Sequence, residues 1–190
     1  MYRDDACGIP AGRCADQNFR LAVYEAGHAL SARALGLKLV SVRMLPRPPV
    51  LVSDKTFAHN NWESFLKTLE IRMIELFGGQ IAEELACGSN TCCSGDIARI
   101  DELSRLVAGL RGDVDAETVL FDLEDAAQAL FAEPGLRKAV VPLAEFFHRR
   151  MMDGREMIEG ADIDAELDRY LPAQVQRRTW VNRLFGRARS

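Results

Sequence analysis

Residues 21–30, Leu-Ala-Val-Tyr-Glu-Ala-Gly-His-Ala-Leu, set the tightest constraint on how this chain can fold. The run is apolar except at Tyr24, Glu25 and His28, and helix formers flank it. On an α-helix, residues four apart share a face, so Tyr24 and His28 point the same way with Glu25 beside them. A helix that is apolar nearly all round belongs in a core. A carboxylate and an imidazole carried into that core need a hydrogen bond, an opposite charge or a metal. The stretch therefore hosts either chemistry or a polar network.

The spacing falls one residue short of a known device. In His-Glu-x-x-His on a helix, two imidazoles hold zinc and the Glu activates the metal-bound water. Glu25 and His28 occupy two of those positions, and Tyr24 stands where the first His would be. Taken alone, Glu-x-x-His is equally the pattern of a hydrogen-bonded core His beside a half-exposed Glu.

The surrounding pattern is mainly helical. Residues 1–15 contain Gly8, Pro10 and Gly12 without a period and read as a loop or arm. A helix spans residues 17–35, with Asp16 as N-cap and Gly36 as stop. Residues 38–44 alternate as a half-buried strand does, and Val50-Leu51-Val52 offers a second strand beyond a Pro-rich connection, giving a small ribbon near residues 38–52. That connection marks a sheet edge. A loop with His59 leads to a helix over residues 62–85 that contains Gly78-Gly79. Two glycines inside a helix cost about 1 kcal/mol each relative to Ala, and the compensation expected is close approach of the first helix at Gly27. Further helices are expected from Asp96, with Ser94 as N-cap, and over residues 115–131, 136–152 (kinked or started late by Pro142) and 162–170.

With 190 residues, 48% hydrophobic and 27% charged, the chain suits one domain with a good core. A net charge of -4 argues against nonspecific nucleic-acid binding. There is no signal-peptide pattern and no apolar run near the ~20 residues that span a bilayer, so the expectation is a soluble, cytoplasmic protein. Five cysteines, an odd number that includes the adjacent Cys92-Cys93, argue against a disulfide framework and predict reduced thiols. No Gly-x-x-x-x-Gly-Lys-Ser/Thr loop is present. The segment 173–190 carries five Arg and no acid, with Trp180, Val181, Leu184 and Phe185 at helical spacing. It reads as a basic amphipathic tail that packs on its own domain or self-associates, or else docks on an acidic partner or membrane surface.

Four ordered stretches carry a family resemblance. Ala22-Val23-Tyr24-Glu25-Ala26-Gly27-His28-Ala29 resembles the zinc helix of the FtsH-type ATP-dependent metalloproteases. Residues 76–85, with Gly78-Gly79 and Glu83-Glu84, resemble that family's Leu-Gly-Gly-Arg-Ala-Ala-Glu-Glu helix. Ser94-Gly95-Asp96-Ile97 resembles the segment bearing its third zinc ligand, and residues 157–163 resemble its C-terminal Leu-x-Gly-Glu-Glu-Ile element. The resemblance spans residues 20–167 and implies a mainly α, FtsH-like peptidase domain over residues 16–172. It implies Glu25 as the water-activating base and His28 and Asp96 as zinc ligands. It also implies an edge strand at residues 38–44 that pairs with an extended peptide or unfolded protein segment. An Asp in the first turn of a helix is favoured as an anion by the helix dipole, typically by ~0.3–1 kcal/mol.

Two departures shape the functional expectation. Tyr24 replaces the first zinc His, and a phenol with pKa near ~10 must lose its proton before it can ligate. The sequence also lacks the membrane and ATPase parts, so a separate ATPase or protein partner is implied. The expected function is a standalone peptidase-like domain with a degenerate zinc site, weakly active or noncatalytic, that binds peptides or regulates. The alternative is an active zinc metalloendopeptidase that uses Tyr24, Cys92, Cys93 or His59 as substitute ligand. For Tyr24 the preferred reading is a core aromatic whose hydroxyl bonds Glu25, His28 or Asp96 in place of a metal. For Cys92, Cys93 and His59 it is an ordinary loop side chain. Glu83 or Glu84 is a candidate for orienting His28.

Overall fold

A computed structural model describes residues 12–46, 48–54, 61–91 and 94–171. The expectations for residues 1–11, His59, Cys92, Cys93 and the basic tail lie outside the described residues. Within them are a short 3-10 helix (Arg13–Ala15) and six α-helices: α1 (Gln17–Ala34), α2 (Trp62–Cys87), α3 (Ser94–Arg111), α4 (Ala116–Phe131), α5 (Pro134–Met152) and α6 (Gly160–Leu167). Three short strands, β1 (Lys38–Arg43), β2 (Val50–Asp54) and β3 (Met157–Glu159), form one antiparallel sheet. No helix of the described residues is long and apolar enough to cross a membrane.

The first helix is the core of the molecule. Asp16 caps it by accepting from the Asn18 amide at 2.9 Å. Every residue from Ala22 to Ala34 is buried, because α2 and α5 flank the helix and the sheet covers its C-terminal end. Arg33, buried at that end, is paired with Asp164 and Asp168 around α6. A buried guanidinium needs such partners.

The antiparallel crossing of α1 and α2 depends on glycine. A Cβ on Gly78 would sit 2.7 Å from the Gly27 carbonyl oxygen and collide with the Ser31 hydroxyl. A Cβ on Gly79 would meet the His28 and Tyr24 rings at 2.7 and 2.8 Å. The two glycines thus let the helix backbones touch, and they leave the space that the Tyr24 and His28 rings fill.

The sheet corrects two expectations. Its order is β2-β1-β3, so β1 is central and does not offer an edge to a peptide. The added strand, β3, pairs Val42 with Ile158 and Arg43 with Met157. Three residues are too few to show a period of two, so nothing in the sequence marks β3 as a strand. Among the described residues the edge strand nearest the first helix is β2. Helix α5 begins at Pro134, two residues before the expected start, and runs through Pro142 without a late start.

The third correction concerns the thiols. Cys14 and Cys87 form a disulfide with Cα atoms 5.6 Å apart, 73 residues apart in sequence. The antiparallel crossing brings the start of α1 to the end of α2, and this is invisible to a count of cysteines. Alkylation of unfolded, unreduced protein should leave Cys14 and Cys87 unmodified in the mass spectrum. Full modification of both would refute the bond.

Candidate functional site

Tyr24, Glu25, His28 and Asp96 converge on one cavity of about 520 Å³ between α1, β2 and the start of α3. Helix α1 supplies the first three from one buried turn. Asp96 arrives in the first turn of α3, which begins at Ser94 and so two residues earlier than the expected start. Seventy-two residues separate Tyr24 from Asp96, yet the phenol donates to Asp96 Oδ2 at 2.6 Å. The same oxygen lies 3.0 Å from His28 Nε2. The Tyr24 and His28 rings meet edge to face with centroids 4.7 Å apart.

The protonation of His28 follows from its neighbours. Its Nδ1 lies 2.8 Å from the Glu75 carbonyl oxygen, which can only accept. Its Nε2 faces a carboxylate oxygen. Both ring nitrogens therefore face acceptors, an arrangement that favours the imidazolium form of His28 beside ionised Asp96. The pKa directions agree. Burial alone would lower the His28 pKa, but the Asp96 hydrogen bond and the charges of Glu25 and Asp96 outweigh it and raise it. Burial alone would raise Asp96, but His28 and the Tyr24 hydroxyl outweigh it and hold the carboxyl below its ordinary value.

This donor set departs from the usual three-ligand catalytic zinc site: among the described residues it offers one imidazole and one carboxylate, with a phenol at the third position. Zinc takes neutral imidazole through a lone pair, so it would have to displace the proton that His28 Nε2 directs at Asp96. The phenol also keeps its proton, on the same oxygen. Among the described residues no three His, Cys, Asp or Glu side chains converge as a metal-ligand set. Tyr24 and His28 both direct a hydrogen at Asp96 Oδ2 instead.

Glu25 stands apart from that network. It is 3% exposed, and its Oε2 has no hydrogen-bond partner among the described residues. Burial, with the Asp96 charge adding to it against the pull of His28, pushes the carboxyl up to about 7. A raised carboxyl stays protonated in the fold after it has ionised in the unfolded chain. Its contribution is thus full below the unfolded value of 4.5 and is lost as pH rises through about 7. Glu25→Gln removes this dependence. The stability gap between variant and wild type should widen in favour of the variant by about 3 kcal/mol from pH 4.5 to 7.5, at about 1.36 kcal/mol per unit. Urea unfolding at several pH values measures it, and a constant gap would contradict the assigned burial.

Three contributors escaped the sequence reading. Glu75 is fully buried, and its carboxylate accepts from Ser53 Oγ and from Arg72, each at 2.7 Å. Its carbonyl orients His28, the role expected of Glu83 or Glu84. Glu83 is instead engaged by Arg20 at 2.6 Å and by the Thr91 amide at 2.9 Å, holding the loop that leads toward α3. Glu84 is exposed. Arg72 and Arg99 join Leu21, Leu51 and Leu76 on the cavity wall. The signal for Glu75 was present: a lone acid within Met73-Ile74-Glu75-Leu76-Phe77. His148 lies in a separate cluster, between Arg13 at 3.1 Å and Asp16 at 3.0 Å.

No protein-family model matches this chain. No curated protein matches it either.

Proposed function

We propose that this domain is an FtsH-like peptidase fold whose zinc site is closed by Tyr24, and that it binds extended peptide segments without cleaving them. The observation that carries the reading is the Tyr24–Asp96–His28 network on the wall of a cavity that β2 also lines. A free strand edge recognises the main chain of an unfolded segment through hydrogen bonds. With Val50 and Leu51 at the cavity, that edge is β2 and not β1. Delivery of unfolded segments calls for a separate ATPase or other protein partner.

The test is binding of a labelled, unstructured peptide followed by fluorescence anisotropy, beside metal analysis of the purified protein. Saturable binding, lost when alternate peptide amides are N-methylated, is the expected result with substoichiometric zinc. Stoichiometric zinc that disappears in both His28→Ala and Asp96→Ala would overturn the closed-site reading.

The position of Glu25 favours one competitor, an active zinc metalloendopeptidase with Glu25 as base and Tyr24, Cys92, Cys93 or His59 completing the ligand set. Casein cleavage abolished by Glu25→Gln would establish it. Cytoplasmic placement is part of the proposal, and the Cys14–Cys87 bond bears against it, because cytosolic reductants hold such pairs reduced. Thiol trapping in intact cells decides between the two.

A further inference from the structure

The carboxyl of Glu25 borders a cavity of about 520 Å³ and finds no partner for Oε2 among the described residues. A buried polar oxygen left without a hydrogen bond is unfavourable, so a ligand that reaches the Glu25 carboxyl gains by supplying one. The rest of the lining restricts what that ligand can be. Charges on the wall already have partners, Arg72 in Glu75, Arg99 in Glu102 and Asp96 in His28, so neither a cation nor an anion is called for. Leu21, Leu51 and Leu76 exclude a heavily hydrated group. A neutral group with both a donor and an acceptor remains, and the amide is the one that every peptide carries.

We infer that Glu25 is the hydrogen-bond anchor for a neutral amide of a bound peptide, a binding residue and not a base. The inference rests on the peptide-binding reading above and names the atom that does the holding. An amide can donate its N–H to a carboxylate or accept at its carbonyl from a carboxylic acid, so either form of Glu25 has a partner. The amide can belong to the main chain or to an Asn or Gln side chain.

The experiment uses the full chain and a short fluorescein-labelled, acetylated and amidated peptide of Val, Leu and Ser, with a second version containing Gln. Glu25→Gln, whose side chain also donates and accepts, should bind within about twofold of wild type. Glu25→Ala should bind about tenfold more weakly while its thermal melt shows it folded. Replacing single peptide amides by esters should reveal one position whose loss weakens wild type but not Glu25→Ala. If only the Gln-containing peptide binds and the ester series is silent, the amide is a side chain's and the anchor stands. Equal binding by wild type, Glu25→Gln and Glu25→Ala overturns the anchor and leaves the peptide-binding reading intact. Failure of wild type to bind either peptide overturns both.

Discussion

Purified Tyr24→His protein should hold zinc at least about a hundredfold more tightly than wild type, a difference of about 2.7 kcal/mol. Positions 24 and 28 lie one helical turn apart on α1, with their rings 4.7 Å apart and Asp96 Oδ2 within hydrogen-bond distance of both side chains. Removing the phenol releases one of the two hydrogen bonds that occupy that oxygen. It also supplies a second imidazole, the ligand type zinc prefers, so that two imidazoles and one carboxylate surround the metal and leave a fourth position open. Zinc must then displace one proton, from His28 Nε2, whose pKa is raised. Affinity should therefore rise steeply with pH through the His28 titration. Competition with a coloured chelator measures it, and adding His28→Ala should erase the gain. A variant that stays metal-free would show that the two side chains and Asp96 do not share the pocket as described.

The parts of this arrangement that were legible in the sequence share one property: each is written within a few residues. The cap at Asp16, the burial of α1 and the meaning of Gly78-Gly79 follow from local spacing and from what helices cost. The meeting of Asp96 with His28 was also anticipated, but through the order of four stretches that resemble a family and not through spacing. What escaped depends on two distant segments at once. The central position of β1 is fixed by a three-residue strand that begins at residue 157, and a segment so short has no pattern of its own. The Cys14–Cys87 bond follows from the direction in which α2 crosses α1. The lone acid in an apolar run marks Glu75 as a buried polar residue, but its contact with His28 runs through a backbone carbonyl, which every residue has, so the contact itself was not legible.

Gly27→Ala should be among the most damaging one-carbon changes in the described residues. The added Cβ would overlap the Gly78 carbonyl and lie 2.6 Å from the Ala82 Cβ. Neither obstacle is the end of a flexible side chain. One is helix backbone and the other is the first carbon off it, so relief requires α2 to move away from α1 as a body. Overpacking that a side chain can absorb costs about 1–3 kcal/mol, and a backbone clash at a helix crossing exceeds that. The gain of about 1 kcal/mol in helix propensity from Gly to Ala offsets only part. The net loss expected is about 4 kcal/mol, which lowers the melting temperature by about 10 °C for a domain of this size. Movement of α2 also withdraws the Glu75 carbonyl from His28 Nδ1, so the His28 ring should lose its fixed orientation in the same variant, visible as a changed imidazole shift and titration by NMR. Gly36→Ala is the control. Its φ of 79° strains an alanine, but nothing lies within 4 Å of the new carbon, so about 1 kcal/mol is expected. Gly79→Ala separates the two effects. The nearest atoms to its Cβ belong to the Tyr24 and His28 rings, which can turn aside, so the fold should survive while peptide binding falls. If Gly27→Ala proves no worse than Gly36→Ala, the two helices do not touch through their backbones, and the pocket they frame is not built as described.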